Sequence, residues 1–244
     1  MSGHSKWHNI QERKGKQDAR RSGQFTKMAK SITVAAQKGG GDITMNFSLR
    51  LAVEKSKAVG MPKENIERAI KRGTGELKDG IQMEEALYEG FGPAGVAILI
   101  KVVTDNKNRA ISDVKHILNE HGGNMGSAGS VQWMFQQWGI IVLKNEEMAK
   151  LGLRDEAELA LIELGAEDIQ NGEEGEIEVK TKVEHFQKLL LALKEKNIEI
   201  KDSGLKLIAK DLITVDEATE KKLNDLFGAF EENDDVEDYF TNAA

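Results

Sequence analysis

Apolar residues recur at helical spacing through the first third of the chain and at alternating spacing after it. Between residues 18 and 37, Ala19, Phe25, Met28, Ala29, Ile32, Ala35 and Ala36 fall on one stripe, which predicts a helix with one buried face. Asp18 suits a cap or first-turn position, and Gly39-Gly40-Gly41 stops the segment. Leu49, Ala52, Val53 and Ser56 mark a second helix from about Asn46 to Val59, ended by Gly60. Pro62 begins a third, as its fixed backbone angle fits a first turn. Its inward residues are Ile66, Ala69 and Ile70, and it ends before Gly73. Glu64–Arg68 and Glu67–Lys71 are spaced i,i+4 with the acid first, the favourable order. Residues 1–17 are polar and basic without a period and read as an extended arm. Residues 74–81 read as a linker.

From about residue 84 the period drops to two. Tyr88–Phe91 and Gly95–Thr104 read as strands joined at Gly92-Pro93. A helix follows over 107–120, with Ala110, Ile111, Val114, Ile117 and Leu118 inward. Strands are then predicted at Val131–Phe135 and Ile140–Lys144, a helix at 155–164, strands at 167–170 and 176–181, and a helix at 183–195. Strands at 198–201 and 205–210, a helix at 216–230 and a strand at 236–241 complete the chain. Residues 139–201 thus spell strand–helix–strand–strand–helix–strand, the ferredoxin-like order. The flanking segments spell a similar order when joined. The fold class is α+β with three domains: a small N-terminal helical bundle plus two ferredoxin-like α+β domains, one inserted into the other. The expected boundaries are 1–80, then 81–137 with 204–244, and 138–203 as the insert.

Composition narrows the class. The 244 residues include no cysteine, which excludes a disulfide scaffold and a cysteine zinc site and fits a reducing compartment. Val96–Ile100, an apolar run as long as any in the chain, is strand length and far short of the ~20 residues of a membrane span. The first residues lack the apolar core of a signal peptide, so a cytoplasmic protein with no membrane partner is expected. Charge changes the picture most. The net −7 divides into +9 over residues 1–80 and −16 over residues 81–244. A basic head on an acidic body points to an anionic partner at one end, with a solvated basic face as the plainer alternative.

The candidate contacts follow from that asymmetry. Lys6, Arg13, Lys14, Lys16, Arg20, Arg21, Lys27 and Lys30 crowd the first 30 residues, and Arg68, Lys71 and Arg72 extend the basic surface. Such side chains gain counterion-release free energy on phosphates. Trp7 has two readings, base or partner contact and packing onto the bundle, whereas Phe25 belongs to the helix stripe. His4, His8 and Glu12 have helical ligand spacing but lie in a segment without helical period, so no metal is assigned. The Gly-rich run His121–Val131 follows a helix and precedes a strand, the reverse of a phosphate loop, and no nucleotide or other cofactor is expected. Thr104–Arg109 has the better order, a strand feeding a helix N-terminus with Lys107 and Arg109 nearby. A simple cap from Asp105 or Asn106 explains it more plainly. No nucleophile, carboxylate pair or ligand set argues for catalysis, and no catalytic residue or small-molecule substrate is assigned.

Several blocks in series carry a resemblance to one family. They are Gly3–Trp7, Lys14–Asp18, Phe25–Lys27, Gly39–Asp42, Asn46, Met61-Pro62, Ala69–Gly73, Tyr88–Pro93, Thr104–Asn106, Asn108-Arg109 and His121–Asn124. Together the chain resembles the YebC family over essentially its whole length. His8, where the family has a small residue, and Lys107, where it more usually has Arg, depart from the pattern. The resemblance implies a helical domain and two α+β domains around a central acidic cavity, and a DNA-binding regulator of transcription. As the alternative, it implies a relationship to those members that resemble translational activators working with the ribosome, for which ribosomal RNA is the anion. No catalytic residues come with it. A flexible basic arm suits irregular RNA at least as well as a duplex, so DNA and RNA both stay open as partners.

Overall fold

The computed structural model describes residues 17–77, 82–172 and 175–244, with side chains described from Gly23 onward. Helix α1 (Gln17–Gly39) is followed by α2 (Phe47–Ala58) and α3 (Lys63–Gly73). They close on a small apolar core of Ile32, Ala35, Ala36, Leu49, Val53, Met61, Ile66 and Ala69, with Phe25, Met28, Ala52 and Ile70 packed at its margin. Ile32 and Leu49 have no exposed surface, and such burial contributes about 1.5–3 kcal/mol per side chain. One polar residue ties the bundle together. Asn46 Oδ1 accepts from the Leu49 amide at 3.0 Å, capping α2, while its Nδ2 donates to the carbonyls of Ala35 and Gly40 at 2.8 Å each. The helices α1 and α3 cross closely at Gly73, where a Cβ would lie 2.3 Å from the Thr33 carbonyl oxygen. That approach lets the Thr33 hydroxyl reach the Ala69 carbonyl at 3.2 Å.

A hairpin follows: β1 (Glu84–Phe91) pairs antiparallel with β2 (Ala97–Thr104), in register from Glu84↔Thr104 to Phe91↔Ala97. Helix α4 (Lys107–Glu120) leads to the short edge strand β3 (Asn124–Met125). After an excursion the chain returns through α8 (Glu217–Glu232) and β8 (Val236–Thr241), giving the sheet order β3-β1-β2-β8. Helices α4 and α8 pack on this sheet and on each other. Tyr239 of β8 stacks on Phe227 of α8 with ring centroids 4.6 Å apart. Helix α1 also lies against β2 and β8. The bundle and this sheet therefore belong to one compact unit, residues 17–133 with 213–243 among those described.

The excursion, residues 134–212, is a second compact unit. It runs β4 (Phe135–Lys144), the short α5 (Asn145–Met148), α6 (Arg154–Glu163), β5 (Ala166–Asn171), β6 (Glu176–Thr181), α7 (Val183–Glu195) and β7 (Ile200–Ala209). Its sheet order, β5-β6-β4-β7 with every pair antiparallel, is the ferredoxin-like arrangement. The sequence pattern breaks this sheet's two long strands in half; the structure makes each continuous. Gly139 lies inside β4 because a Cβ there would sit 2.5 Å from the ring of Phe186 on α7, so the helix seats directly on the strand backbone. Strand β7 continues through Gly204, opposite Ile140, and a register shift at Val142/Leu143 absorbs the irregularity.

Candidate nucleic-acid interface

Helices α1 and α3 each carry both core residues and candidate contacts, and α1 carries more of the contacts. Its stripe of Ile32, Ala35 and Ala36 faces the bundle. A second stripe, Lys27, Lys30, Ser31 and Lys38, faces β1, α8 and the segment after it. The Lys27 ammonium donates to the carbonyls of Glu231 at 2.8 Å and Phe230 at 3.4 Å. The Lys30 ammonium donates to the Asp234 carbonyl at 2.9 Å and to Asp235 Oδ1 at 2.5 Å. Ser31 donates its hydroxyl to Glu237, and Lys38 pairs with Glu85. Behind the seam, Arg109 holds Asp235 through two nitrogens, with a shortest contact of 2.8 Å, and Lys101 pairs with Glu237 at 2.6 Å.

The electrostatics follow from burial. Desolvation pushes Lys27 down to about 8, because the carboxylates of Glu231, Asp234 and Asp238 only partly compensate it. Burial would raise the Asp235 carboxyl, but Lys30 and Arg109 together hold it below its ordinary range. Asp235 is 5% exposed and so a well-shielded partner.

These contacts sort the candidates. Lys6, Trp7, Arg13, Lys14 and Lys16 lie outside the described residues, as do His4, His8 and Glu12. Arg20 and Arg21 sit on the first turns of α1, ahead of the described side chains. Lys27 and Lys30 take part in an internal seam, so their expected role as phosphate contacts meets intramolecular acceptors instead. Arg68 and Lys71 are exposed on α3, with Arg68 donating to Asn65, and Arg72 is partly buried beside them. The first turns of α3 also expose Glu64 and Glu67, which puts its basic charge at the C-terminal end.

The two loop readings resolve into internal chemistry. Asn106 caps α4, its Oδ1 accepting from the amides of Asn108 and Arg109 at 3.1 Å each. Arg109 binds Asp105 and Asp235, and Lys107 pairs with Glu84. The helix N-terminus weighed above as a phosphate site is therefore filled by its own side chains. In the Gly-rich run, the anion is supplied from within. Glu89, 6% exposed on β1, accepts amide hydrogens from Gly129, from Val131 at 2.7 Å and from Gln132 at 2.8 Å. Burial would raise this carboxyl, and the three amides outweigh it and hold it below its ordinary value. Glu89's own carbonyl accepts from the Gly126 amide at 2.8 Å.

This loop delivers a residue that the sequence pattern passes over. Trp133 falls in a segment read as strand, yet the strand starts only at Phe135 and Trp133 is 65% exposed. The cue in the sequence is weak: Glu89 sits 40 positions before the loop, and nothing local ties the two together. Ile111, expected inward on α4, is 42% exposed, while Ala110, Val114 and Leu118 are buried. Among the described residues no group of three or more His, Cys, Asp or Glu is arranged to hold a metal. No helix among them is long and apolar enough to cross a membrane.

Comparison with known proteins divides the chain after the helical bundle. Residues 5–76 match a model of the TACO1/YebC protein N-terminal domain, and residues 83–243 match the TACO1/YebC second and third domain. A probable transcriptional regulatory protein of Maridesulfovibrio salexigens is 49% identical, the alignment covering 100% of this chain and 95% of that one. A protein of the same description from Persephonella marina is 45% identical over 99% of this chain and 95% of its own. The crystal structure of a conserved hypothetical protein from Aquifex aeolicus superposes with a TM-score of 0.85 at 38% identity, covering 98% of this chain and 97% of that one.

Proposed function

We propose, from the premise that this chain belongs to the TACO1/YebC family, that it is a non-enzymatic regulator of gene expression acting by binding nucleic acid. The observation that carries the reading is the segregation of charge, +9 over residues 1–80 and −16 over the rest. A basic end attracts phosphates while the acidic body discourages indiscriminate coating of the polymer. The relatives named as probable transcriptional regulatory proteins support a regulatory role at the level of the family. Lys6, Arg13, Lys14, Lys16, Arg20 and Arg21 are the contacts assigned to the arm and the start of α1, with Arg68, Lys71 and Arg72 on α3 beside them.

Duplex DNA is the partner that a role in transcription requires. A second reading, ribosomal RNA and a role in translation, is favoured by the polar, basic sequence of residues 1–17, which suits irregular RNA at least as well as a duplex. Phosphate contacts position a protein without reading sequence, so the two readings separate by competition. Labelled full-length protein at near-physiological salt is offered ribosomes against excess mixed-sequence duplex DNA. Transfer to DNA supports transcriptional control. Retention on ribosomes supports translation. Binding to neither removes the nucleic-acid reading.

A further inference from the structure

We infer that the outward face of α6, in the unit of residues 134–212, is a docking surface for a basic amphipathic helix of a partner protein. Helix α6 is apolar on two sides. Ala157 and Leu161 have no exposed surface, whereas Leu159 and Ile162, which share the opposite face, are 61% and 55% exposed. Among the described residues no other helix leaves a large apolar side chain more than 42% exposed. Apolar residues all round a helix ordinarily mean cover all round it, and within its own unit α6 is covered on one side only. The face is also fixed. Arg154 Nη2 donates to Asn171 Oδ1 on β5 at 2.9 Å, and Glu156 accepts the Leu153 amide at 3.0 Å. Just past the helix, the Gly165 carbonyl accepts from the Thr181 hydroxyl at 2.6 Å. A partner that docks here therefore pays little to order the helix.

Charge chooses the occupant. Asp155 and Glu163 stand one turn before and one turn after Leu159, and Glu158 stands one turn before Ile162. Glu158 is held by Arg154 at 3.0 Å, while Asp155 and Glu163 are exposed carboxylates. The helix carries four acidic residues against one arginine, and residues 134–212 carry 17 against 11 lysines and arginines. Such a rim repels phosphates, whether of a nucleic acid or of a lipid surface, and sets a second copy of the same face against like charge. What complements it is a helix with apolar side chains at i, i+3 and i+4 spacing and lysine or arginine beside them. The apolar anchors would lie over Leu159 and Ile162, and the cations would meet Asp155 and Glu163.

The test titrates the full-length protein with a labelled synthetic peptide that carries leucines along one helical face and lysines on either side of them. Two controls accompany it, a scrambled peptide of the same composition and a version with glutamates in place of the lysines. Wild type should bind the first peptide at least about 10-fold more tightly than either control. Leu159→Ala combined with Ile162→Ala should weaken that binding by about 10- to 100-fold, the range expected when two half-exposed anchors are removed. Both side chains lie on the surface, so the urea midpoint should not fall. Asp155→Asn combined with Glu163→Gln should weaken binding at low salt and flatten its salt dependence. Equal affinity for the ordered and scrambled peptides overturns the inference, as does affinity unchanged in the double alanine variant. A dimer in sedimentation that the double alanine variant abolishes assigns the face to self-association and overturns it as well.

Discussion

At the scale of single residues, a half-buried lysine and a buried glutamate do opposite things. Lys27 is a cation that its surroundings discourage, and Glu89 is an anion that its surroundings demand. The free Lys27 side chain titrates near 10.5 and the folded one near 8. Below pH 8 both states hold the proton, and the penalty of burying charge is fully present. Between pH 8 and 10.5 the unfolded state binds more protons, so stability rises with pH. The difference in unfolding free energy between wild type and Lys27→Met should therefore move in favour of wild type across that window by about 3 kcal/mol. A difference that stays flat from pH 7 to 10.5 contradicts the burial of this ammonium. For Glu89 the sign reverses. Its folded carboxyl is depressed, so its contribution is present above the ordinary carboxylate range and is lost as pH falls through the folded value. Glu89→Ala strands three amides at once. It should cost roughly 2–4 kcal/mol in urea unfolding and speed amide exchange at Gly129, Val131 and Gln132.

Elements show where local pattern suffices. The spacing of apolar residues places the helix over 107–120 and the last strand over 236–241 where the structure has them. It cuts β4 and β7 because Gly139 and Gly204 resemble breaks. A glycine inside a strand has two meanings, an interruption or a close approach, and only the position of Phe186 tells them apart. Gly139→Ala would press a methyl group into that ring. We expect a loss of about 1–3 kcal/mol without a change of fold, read from the urea midpoint. An unaffected midpoint would mean that α7 does not seat on β4. The seam of α1 teaches the same lesson. Helical spacing puts Lys27, Lys30, Ser31 and Lys38 on one side, but their acceptors come from β1 and from residues 230–237.

Over the whole molecule, total charge and available charge are different quantities. The head counts +9 in sequence, yet three of its lysines are matched by carboxylates or carbonyls of the sheet unit. Those three are engaged within the molecule, and the phosphate contacts we propose are the remaining basic residues of the arm and of α3. Reversing Arg13, Lys14 and Lys16 together to Glu should lower nucleic-acid affinity and flatten its salt dependence by about three ions, with unfolding stability unchanged. Binding that survives this change at all salts would remove the arm from the interface. Lys30→Glu should act differently, since it sets a carboxylate against Asp235 and loosens the seam before it touches any ligand.

The sequence by itself determined the α+β class, the helical head, nearly all the elements and the polarity of charge. Each of these follows from residues close together along the chain, through periodicity, caps and composition. Only the tertiary structure decided which lysines are already engaged, what fills the Gly-rich loop and where a tryptophan stands exposed. Those outcomes depend on partners far apart in sequence, 204 positions for Lys27 and Glu231 and 40 for Glu89 and Gly129. Hydrogen bonds and desolvation act over a few ångströms of space, and distance along the chain does not say which groups folding will bring within that range.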